Sequence, residues 1–480
     1  MASRFLIAVG GSGQHIALAV TRLVYMGALE SDIQLIAIDP DNKQPISQRL
    51  ESPAGMSGKN HPLKQGQVYT PFDLSKYGKK TFAAMFVDES NPDERELFES
   101  MFEEHMDSIP VHQGMYGTPC VGATVFAEGA RSASFANLLA PVQNATSVYI
   151  CGSVVGGTGA GITHKLISEL RRHYNGPMFG VFMLPWFKVQ NTTATVGTIT
   201  NADIQRNATH GLKYFYEHTI PALTSSVLVG YPENFVSQVL RPITVGTGDM
   251  GNEQPHFLHL IASHGFATLV KASLAHKDVK AYAIAHHPAA EDWLLSAPWE
   301  NGTGLLGRDC AHTDTMASPG ALDLRTRIRA HQVVLNLLKY LTADKRSKEL
   351  LAFYGGGVLS VFASNTAWGD DLHASIVNST EKGELRKTFV KEMINEFNII
   401  AQEVELCVEW AQHMFPAEML RMPHGDALLD RLKGGEASQL VELRSMWKGR
   451  GISSSQTNKP KGAQVARSHA KFILDAALKV

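Results

Sequence analysis

The stretch Ser147-Val-Tyr-Ile-Cys-Gly-Ser-Val-Val-Gly-Gly-Thr-Gly-Ala-Gly161 joins an apolar run to a very glycine-rich one. Ser147 to Cys151 is a continuous, largely apolar run of strand length, which predicts a buried strand. Beyond the glycines, apolar residues recur at helical spacing from Ile162 to about Tyr174. The segment therefore predicts a strand, a glycine-rich loop and a helix, in that order.

The loop holds more glycine than a turn requires. Glycine costs about 0.5–1 kcal/mol of stability relative to alanine wherever a side chain would fit. We therefore expect another group to approach the backbone of Gly156–Gly161 closely. A phosphate is one such group, because the start of a helix offers backbone N–H groups and the positive end of the helix dipole. No Gly-Lys-Ser/Thr follows, which excludes a Walker-type phosphate loop.

The same arrangement occurs at the start of the chain. Phe5–Val9 has the pattern of a buried strand, Gly10-Gly-Ser-Gly13 follows, and apolar residues then recur at helical spacing. A second strand pattern, Ile33 to Ile38, ends at Asp39, so this region predicts a right-handed βαβ unit in a parallel sheet. Taken alone, the first loop fits a phosphate loop, a structural glycine turn, or a dinucleotide fingerprint in which Asp39 binds a ribose hydroxyl.

Weaker patterns predict the elements between and after these units. Strands are expected at Met178–Leu184 and Val227–Gly230, separated by a helix from about Asn201 to Tyr216. Residues 41 to about 110 are polar and contain no clear strand pattern. We expect loops and one or two helices in that region, including a helix from Glu94 to Met106.

The second half of the chain is predicted to begin with a central helix. Pro255 to about Leu274 has little polar face, which indicates burial on most sides. A long amphipathic helix is expected from about Glu381 to Met414. We predict four parts: a nucleotide-binding domain (1–254), the central helix (255–275), a second α/β domain (276–380) and C-terminal helices with a basic tail (381–480).

Composition excludes several classes of protein. The formal net charge is −2, so no overall attraction to nucleic acid or to an anionic membrane is implied. The four cysteines form no CxxC pair, which suggests neither a zinc site nor a disulfide framework. The first apolar run is too short for a signal peptide or a spanning helix, so we expect a cytoplasmic protein without a membrane partner.

The two glycine-rich segments together resemble nucleotide loops of the tubulin/FtsZ superfamily. Gly156-Gly-Thr-Gly-Ala-Gly161 is similar to the signature loop, and Gly10-Gly-Ser-Gly-Gln-His15 is similar to the first loop. Asp39-Pro-Asp41 resembles the second loop, near metal and phosphates, and Gly117-Thr-Pro-Cys-Val-Gly-Ala123 resembles the third, which faces the γ-phosphate. The resemblance covers about residues 4–275 and is greatest to divergent prokaryotic tubulin-like proteins.

The resemblance implies a site for GTP or GDP with Mg²⁺. Leu184-Pro185 and the Asn201/Asn207 region look like the segment near the ribose and base, and the helix from Pro255 looks like the family's central helix. Asp39 is the implied metal ligand, and Thr158 is the implied hydroxyl donor to phosphate. The full set of implied nucleotide-binding residues is Gly10, Gly11, Ser12, Gly13, Gln14, His15, Asp39, Asp41, Gly122, Ala123, Gly156, Gly157, Thr158, Gly159, Ala160, Gly161, Pro185, Asn201, Asn207, Asn252, His256 and Phe257.

Some of these residues also have a purely structural interpretation. Phe257 could be plain core. His256, His259 and His264 share an apolar helix, where hydrogen-bonded core histidines are also expected.

Hydrolysis is the least determined property. In the family, acidic residues after the central helix reach into the next subunit and position water. Here that place reads His276-Lys-Asp278-Val-Lys-Ala281, with Asp278 as the candidate catalytic acid and a solvated loop acid as the alternative. The outcomes left open are hydrolysis through Asp278, hydrolysis through a different acid, and binding without turnover.

Three functions compete at this point. The first is a filament-forming GTPase with a cytoskeletal, segregation or defence role. The second is a nucleotide-sensing scaffold of the same fold that does not hydrolyse, and the third is an NAD-dependent oxidoreductase. From Arg444 onwards the chain is basic, with Lys448, Arg450 and Lys459 among the cations, so this segment is either a solvated tail or a contact for DNA or for an acidic partner.

Overall fold

A computed structural model describes a parallel α/β fold. The described residues are 4–25, 29, 32–40, 45–55, 61, 63, 69–77, 80–189, 200–230, 241–243, 256–272, 281–284, 310–312, 388, 391–396 and 399. The chain divides into two compact units, which we describe separately. The first comprises residues 1–21, 32–53 and 57–321, and the second comprises residues 22–31, 54–56 and 322–480.

The first unit is built on an eight-stranded parallel sheet in the order β10-β9-β7-β5-β4-β1-β2-β3. A separate parallel pair joins β6 to β8. The strands are β1 Arg4–Val9, β2 Ile33–Asp39, β3 Tyr69–Asp73, β4 Ser147–Ser153, β5 Met178–Met183, β6 Phe187–Val189, β7 Ser225–Val229, β8 Arg241–Ile243, β9 Ala281–Ile284 and β10 Cys310–His312.

Nine α-helices lie within the described residues up to 272. They are α1 Gly10–Tyr25, α2 Pro45–Glu51, α3 Phe82–Phe86, α4 Pro92–Met101, α5 Pro119–Gly129, α6 Ala133–Leu139, α7 Gly157–His173, α8 Asn201–Tyr214 and α9 Phe257–Ala272. Short 3-10 turns lie at Pro53–Gly55, Ser75–Tyr77, Glu104–Met106, Val111–Gln113, Val142–Asn144 and Ile220–Ala222, and a π-turn, Phe215–Thr219, continues α8.

The predicted parallel sheet is confirmed, and its register places the strand ends together. Ala8 pairs with both Ala37 and Cys151, so β1 lies between β2 and β4 with all three running the same way. β4 and β5 are buried along their whole length. This explains why these strands read as continuous apolar runs and not as alternating ones.

The expectation of no strand within residues 41–110 is wrong. β3 pairs in parallel with β2 and forms one edge of the sheet. It contains Pro71, which cannot donate a ladder hydrogen bond and is tolerated because the strand is at the edge. The helix expected at Glu94–Met106 is shorter than predicted, because α4 ends at Met101 and Phe102 is extended.

The predicted central helix is present as α9. It packs against β5 and β7, and the rings of Phe266 and Tyr149 lie 4.8 Å apart. His256, His259 and His264 are all buried, as expected for core histidines. β9 and β10, which lie within the predicted second domain, extend the first sheet. The boundaries between the four predicted parts stay predictions.

The second unit is described over few residues. Residues 391–396 are helical, in agreement with part of the predicted C-terminal helix. Arg22 forms an ion pair with Glu396, and Met393 is buried. Within the described residues, no helix combines the length and the hydropathy that crossing a bilayer requires.

Candidate functional site

The strand order locates a crevice at the carboxyl ends of the central strands β1 and β4. From β1 the chain proceeds to β2 and β3 on one side, whereas β4, β5 and β7 follow on the other side. In open parallel sheets, ligands bind outside the carboxyl ends of the strands at such a reversal point. Because crossovers are right-handed, α1 and α7 lie on opposite faces, and both begin at this crevice.

The starts of α1 and α7 meet across the crevice. Gly10 has a φ of +67°, and a Cβ atom added there would lie 3.2 Å from the backbone nitrogen of Gly159 and 3.2 Å from Cβ of Thr158. Gly156 has a φ of +86°, and an added Cβ would meet nothing within 4 Å. Both positions favour glycine through their backbone conformation, and only Gly156 faces open space.

The first turn of α7 offers hydrogen-bond donors. Its N-cap residue, Gly156, makes no side-chain capping bond. The first N–H groups of an α-helix have no partner within the helix, so they are available to an anion. Gly156 and Thr158 are half-buried, and the Thr158 hydroxyl makes no hydrogen bond within the described part of the chain. The start of α7 therefore combines backbone amides with one hydroxyl that makes no hydrogen bond in the described residues.

Most of the remaining glycines have a packing role. Gly157 and Gly161 lie against the segment that leads into α5: an added Cβ would come within 2.3 Å of Cβ of Met115 and within 2.2 Å of the Pro119 carbonyl, respectively. On α5, a Cβ at Gly122 would lie 2.2 Å from the Gly157 carbonyl. The close approach expected from the glycine excess is thus made largely by a neighbouring helix. The helices also begin earlier than predicted, because Gly10–Gly13 and Gly157–Gly161 are helical.

Asp39 belongs to a buried polar chain. Gln14 Nε2 donates to Asp39 Oδ2 at 2.9 Å, and Ser47 Oγ donates to Gln14 Oε1 at 2.6 Å. Asp39 is only 4% exposed. The carboxylate is held at the carboxyl end of β2, next to the start of α1. Sequence reasoning selected Gln14 and Asp39 but missed Ser47, which lies on α2.

An aromatic cluster supports the first glycine segment from one side. The indole N–H of Trp186 donates to Ser12 Oγ at 3.1 Å, and Trp186 is completely buried. The His15 ring stacks on His259 of α9 with 4.8 Å between centroids, and Trp186 packs edge-on against His259. These contacts engage Ser12 and His15 in the core. Trp186 follows the predicted Pro185, but no motif marked it.

The segment before α5 has a strained backbone and is held by α8. Tyr116 is a non-glycine residue with a φ of +44°, and Gly117 follows with a φ of +71°. The side-chain amide of Asn207 donates to the Gly117 carbonyl at 3.2 Å. Strained residues of this kind persist where surrounding contacts hold them and are common at binding sites. Asn207 therefore positions this segment, whichever ligand it meets.

The other predicted residues are distributed as follows. Pro185 is buried just after β5, and Asn201 is exposed at the start of α8, which Thr200 caps. His256 Nδ1 accepts from the backbone N–H of Leu258, so its ring caps the start of α9. Phe257 is the first residue of α9. Asp41, Asn252, Asp278 and the basic segment from Arg444 lie outside the described residues.

The solved structures similar to this chain include CetZ and FtsZ proteins. CetZ from Methanosaeta thermophila strain DSM 6194 is 15% identical with a TM-score of 0.32, and the match covers 57% of this chain and 56% of that one. FtsZ from M. jannaschii, in a mutant form, is 16% identical with a TM-score of 0.30, and the coverage is 57% and 56%. CetZ2 from Haloferax volcanii, a GTPgS-bound protofilament, is 16% identical with a TM-score of 0.30, and the coverage is 57% and 60%.

The matched part of the chain spans little more than half the length of these proteins. No family model and no curated protein matches the chain.

Proposed function

We propose that this chain is a tubulin-like protein that binds GTP or GDP with Mg²⁺ in the crevice between β1 and β4. In this proposal it assembles into filaments and hydrolyses GTP slowly. The observation that carries the proposal is the meeting of two helix starts at the reversal point of the sheet, with Gly156 open and Thr158 unengaged. The guanine base and the filament are supported by the resemblance of the glycine-rich segments.

The electrostatics of the crevice favour a phosphate chain with a cation. Two helix N-termini direct their positive dipole ends towards the same place. None of the proposed nucleotide-binding residues is Lys or Arg, so the remaining phosphate charge would require a cation. This arrangement suits a nucleotide that carries its own Mg²⁺.

Asp39 is the residue that would hold Mg²⁺. Its carboxylate lies at the carboxyl end of β2, beside the start of α1, and accepts from Gln14. Mg²⁺ in nucleotide sites is bound by one or two carboxylates, phosphates and water, and not by a dedicated protein cage. Among the described residues, no group of three or more His, Cys, Asp or Glu could hold a metal ion by itself. When bound, Mg²⁺ would neutralise phosphate charge.

A dinucleotide oxidoreductase is the competing function that the geometry addresses. Asp39 does end β2 beside the first glycine segment, as a ribose-binding acid does in dinucleotide-binding folds. Its carboxylate, however, is buried and engaged by Gln14, which is itself engaged by Ser47. The same burial applies to any ligand of Asp39, so the deciding feature is the second helix start: α7 meets α1 at this crevice, whereas a dinucleotide fingerprint uses a single glycine loop. We therefore favour the triphosphate.

Nucleotide titration followed by an assembly assay tests the proposal. Fluorescent GTP, ATP and NAD are titrated into the full chain with Mg²⁺, and light scattering and phosphate release are then followed at several protein concentrations. We expect selective GTP binding, and turnover per chain that rises with protein concentration. Preference for NAD, or no nucleotide binding, would refute the proposal.

An acid-to-alanine pair tests the catalytic part separately. Asp278→Ala is compared with Asp292→Ala, which removes another acid of the same region. Turnover lost only in Asp278→Ala, with GTP binding retained, supports Asp278 as the catalytic acid. Tight GTP binding without turnover in the unmodified chain instead favours the non-hydrolysing scaffold.

A further inference from the structure

A cavity of about 530 Å³ lies between α5, α7 and α8. Small residues of all three helices form part of its wall, among them Ala123, Ala160 and Gly211. Its described lining includes no residue of α1 or α9. Volumes of 300–1,000 Å³ are typical of sites for small organic ligands. The cavity therefore has the size and the partly apolar wall of a ligand site.

The charged and polar groups that line this cavity include a cation and no described acid. Lys165 contributes a cation, and His210 and Asn207 add polar groups. No Asp or Glu is present among the described lining residues. Lys165 has no ion-pair partner in the described part of the chain. An anionic group is the complement of such a wall.

His164 adds a polar group with unused capacity. Its Nδ1 lies 2.6 Å from the Thr219 hydroxyl, whereas its Nε2 is buried and has no hydrogen-bond partner among the described residues. Burial, with a smaller contribution from His218, lowers the pKa of His164 to about 4, so the ring is neutral at physiological pH. When Nδ1 accepts from Thr219, Nε2 carries the proton, so the ring beside the cavity is a neutral donor and adds no negative charge.

The cavity wall also has aromatic surface. The ring of Tyr214 packs edge-on against His164 with 5.0 Å between centroids, and Tyr214 is exposed. An exposed aromatic ring beside small apolar residues suits a flat apolar group. Burial, with a smaller contribution from Glu103, raises the pKa of the Cys120 thiol at the α5 side of the cavity. We place the anionic group at the Lys165 end.

We propose that the cavity between α5, α7 and α8 binds a small organic anion with a flat apolar body, such as an aromatic carboxylate. Lys165 holds the carboxylate, and the small residues and Tyr214 hold the ring. Four lining residues, Ala123, Ala160, Gly161 and Asn207, also belong to the set implied for the nucleotide, so the two sites adjoin each other. GTP titration of the same protein can fail while this site still binds its ligand, so the two proposals are tested separately.

A pair of nearly isosteric probes tests the charge requirement. 1-Naphthaleneacetate and its neutral amide, 1-naphthaleneacetamide, are titrated into the full chain by saturation-transfer NMR. We expect the acid to bind and the amide to bind at least about fivefold more weakly, as for the loss of one charge-assisted contact. Equal binding of the two probes, or binding of neither, overturns the proposal.

Two further measurements test the location. Lys165→Gln keeps the side-chain length and removes the charge, and Lys213→Gln does the same on α8 outside the described lining. We expect only Lys165→Gln to lower the affinity for 1-naphthaleneacetate. We also expect bound 1-naphthaleneacetate to slow the alkylation of Cys120 by N-ethylmaleimide, which peptide mass spectrometry measures. Unchanged affinity in Lys165→Gln, or unchanged Cys120 alkylation at saturating acid, refutes the assignment. His210→Gln serves as a second variant if Lys165→Gln does not fold.

Discussion

The two strand-to-helix junctions of the sheet look alike in sequence and differ in what surrounds them. At the β1–α1 junction, side chains engage the residues after the glycines: Trp186 bonds Ser12, His259 stacks on His15, and Gln14 bonds Asp39. At the β4–α7 junction, no side chain caps the helix and Thr158 makes no hydrogen bond in the described residues. The first junction is built into the core, whereas the second leaves its donors available.

This difference indicates a division of labour between two similar motifs. Glycine at the first junction allows α1 to pack closely, since a Cβ at Gly13 would lie 2.3 Å from the Cys151 carbonyl. At the second junction, Gly161 serves the same purpose against α5, and Gly156 alone faces open space. A glycine-rich motif can therefore combine packing residues with a single residue that faces open space.

The largest expected effect distinguishes these two kinds of glycine. Gly161→Ala forces a Cβ to within 2.2 Å of the Pro119 carbonyl, and we expect a loss of about 3 kcal/mol in the free energy of unfolding from overpacking. Gly156→Ala meets no atom, so only its positive φ costs stability, by about 1–2 kcal/mol.

Urea denaturation of both variants measures this contrast, with Gly114→Ala as a further control at positive φ in open space. If Gly161→Ala proves no more destabilising than Gly156→Ala, the packing role assigned to Gly161 is wrong.

The pH dependence of stability tests the burial of His164, which lies beyond the first turn of α7. The folded chain keeps His164 neutral down to about pH 4, whereas the unfolded chain takes up this proton near the ordinary pKa of 6.5. Unfolding therefore binds a proton between these values. The contribution of His164 is complete above pH 6.5 and is lost as the pH falls towards 4, by an amount on the order of 2 kcal/mol.

Stability curves for the wild type and His164→Gln, measured from pH 7 to pH 4, isolate this contribution from that of the carboxyl groups. We expect the wild type to lose more stability than the variant over this range. Parallel curves would contradict the burial of the neutral imidazole.

Nucleotide affinity should depend on the second junction more than on the first. Thr158→Val removes a hydroxyl that is free to meet phosphate, and we expect GTP affinity to fall about five- to tenfold. Ser12→Ala removes a hydroxyl that already accepts from Trp186, so GTP affinity should change by less than about twofold. Equal losses in the two variants would remove the contrast between the junctions.

The smallest expected effect is a gain in stability. The Thr163 hydroxyl, one turn beyond Gly159, is buried and has no hydrogen-bond partner in the described residues. Thr163→Val keeps the shape and removes the unsatisfied group, so we expect about 1 kcal/mol of added stability. Thermal melting measures it, and Thr124→Val on exposed α5 surface is the control, since Thr124 already donates to the Cys120 carbonyl. A destabilised Thr163→Val would mean that the hydroxyl has a partner.

Local patterns predicted most of the sheet, because parallel strands buried on both faces read as continuous apolar runs. β3 was not predicted because it contains Pro71 and polar residues, which do not form a continuous apolar run. Such a composition is tolerated in an edge strand, and the edge position depends on how the other strands pair. The meeting of Gly10 with Gly159 could be inferred once both strand–glycine–helix units were placed in one parallel sheet.

The surroundings of the site could not be inferred from local patterns. Ser47 reaches Gln14 across 33 positions, and Trp186 reaches Ser12 across 174. Neither pair has a spacing rule, because both depend on how helices pack over the sheet. The glycine excess predicts a close approach to the backbone but not which group makes it, and Gly122, Gly157 and Gly161 mainly admit another helix.

At the crossing of α5 and α7, backbone lies directly on backbone, with Gly122 against Gly157 and Gly161 against the Pro119 carbonyl. Side chains between helices usually act as a compliant layer, because they can change rotamer when one helix shifts. This crossing has no such layer at these positions. A displacement at the start of α7 must therefore carry the start of α5 with it, and the two helix starts form one stiff mechanical element.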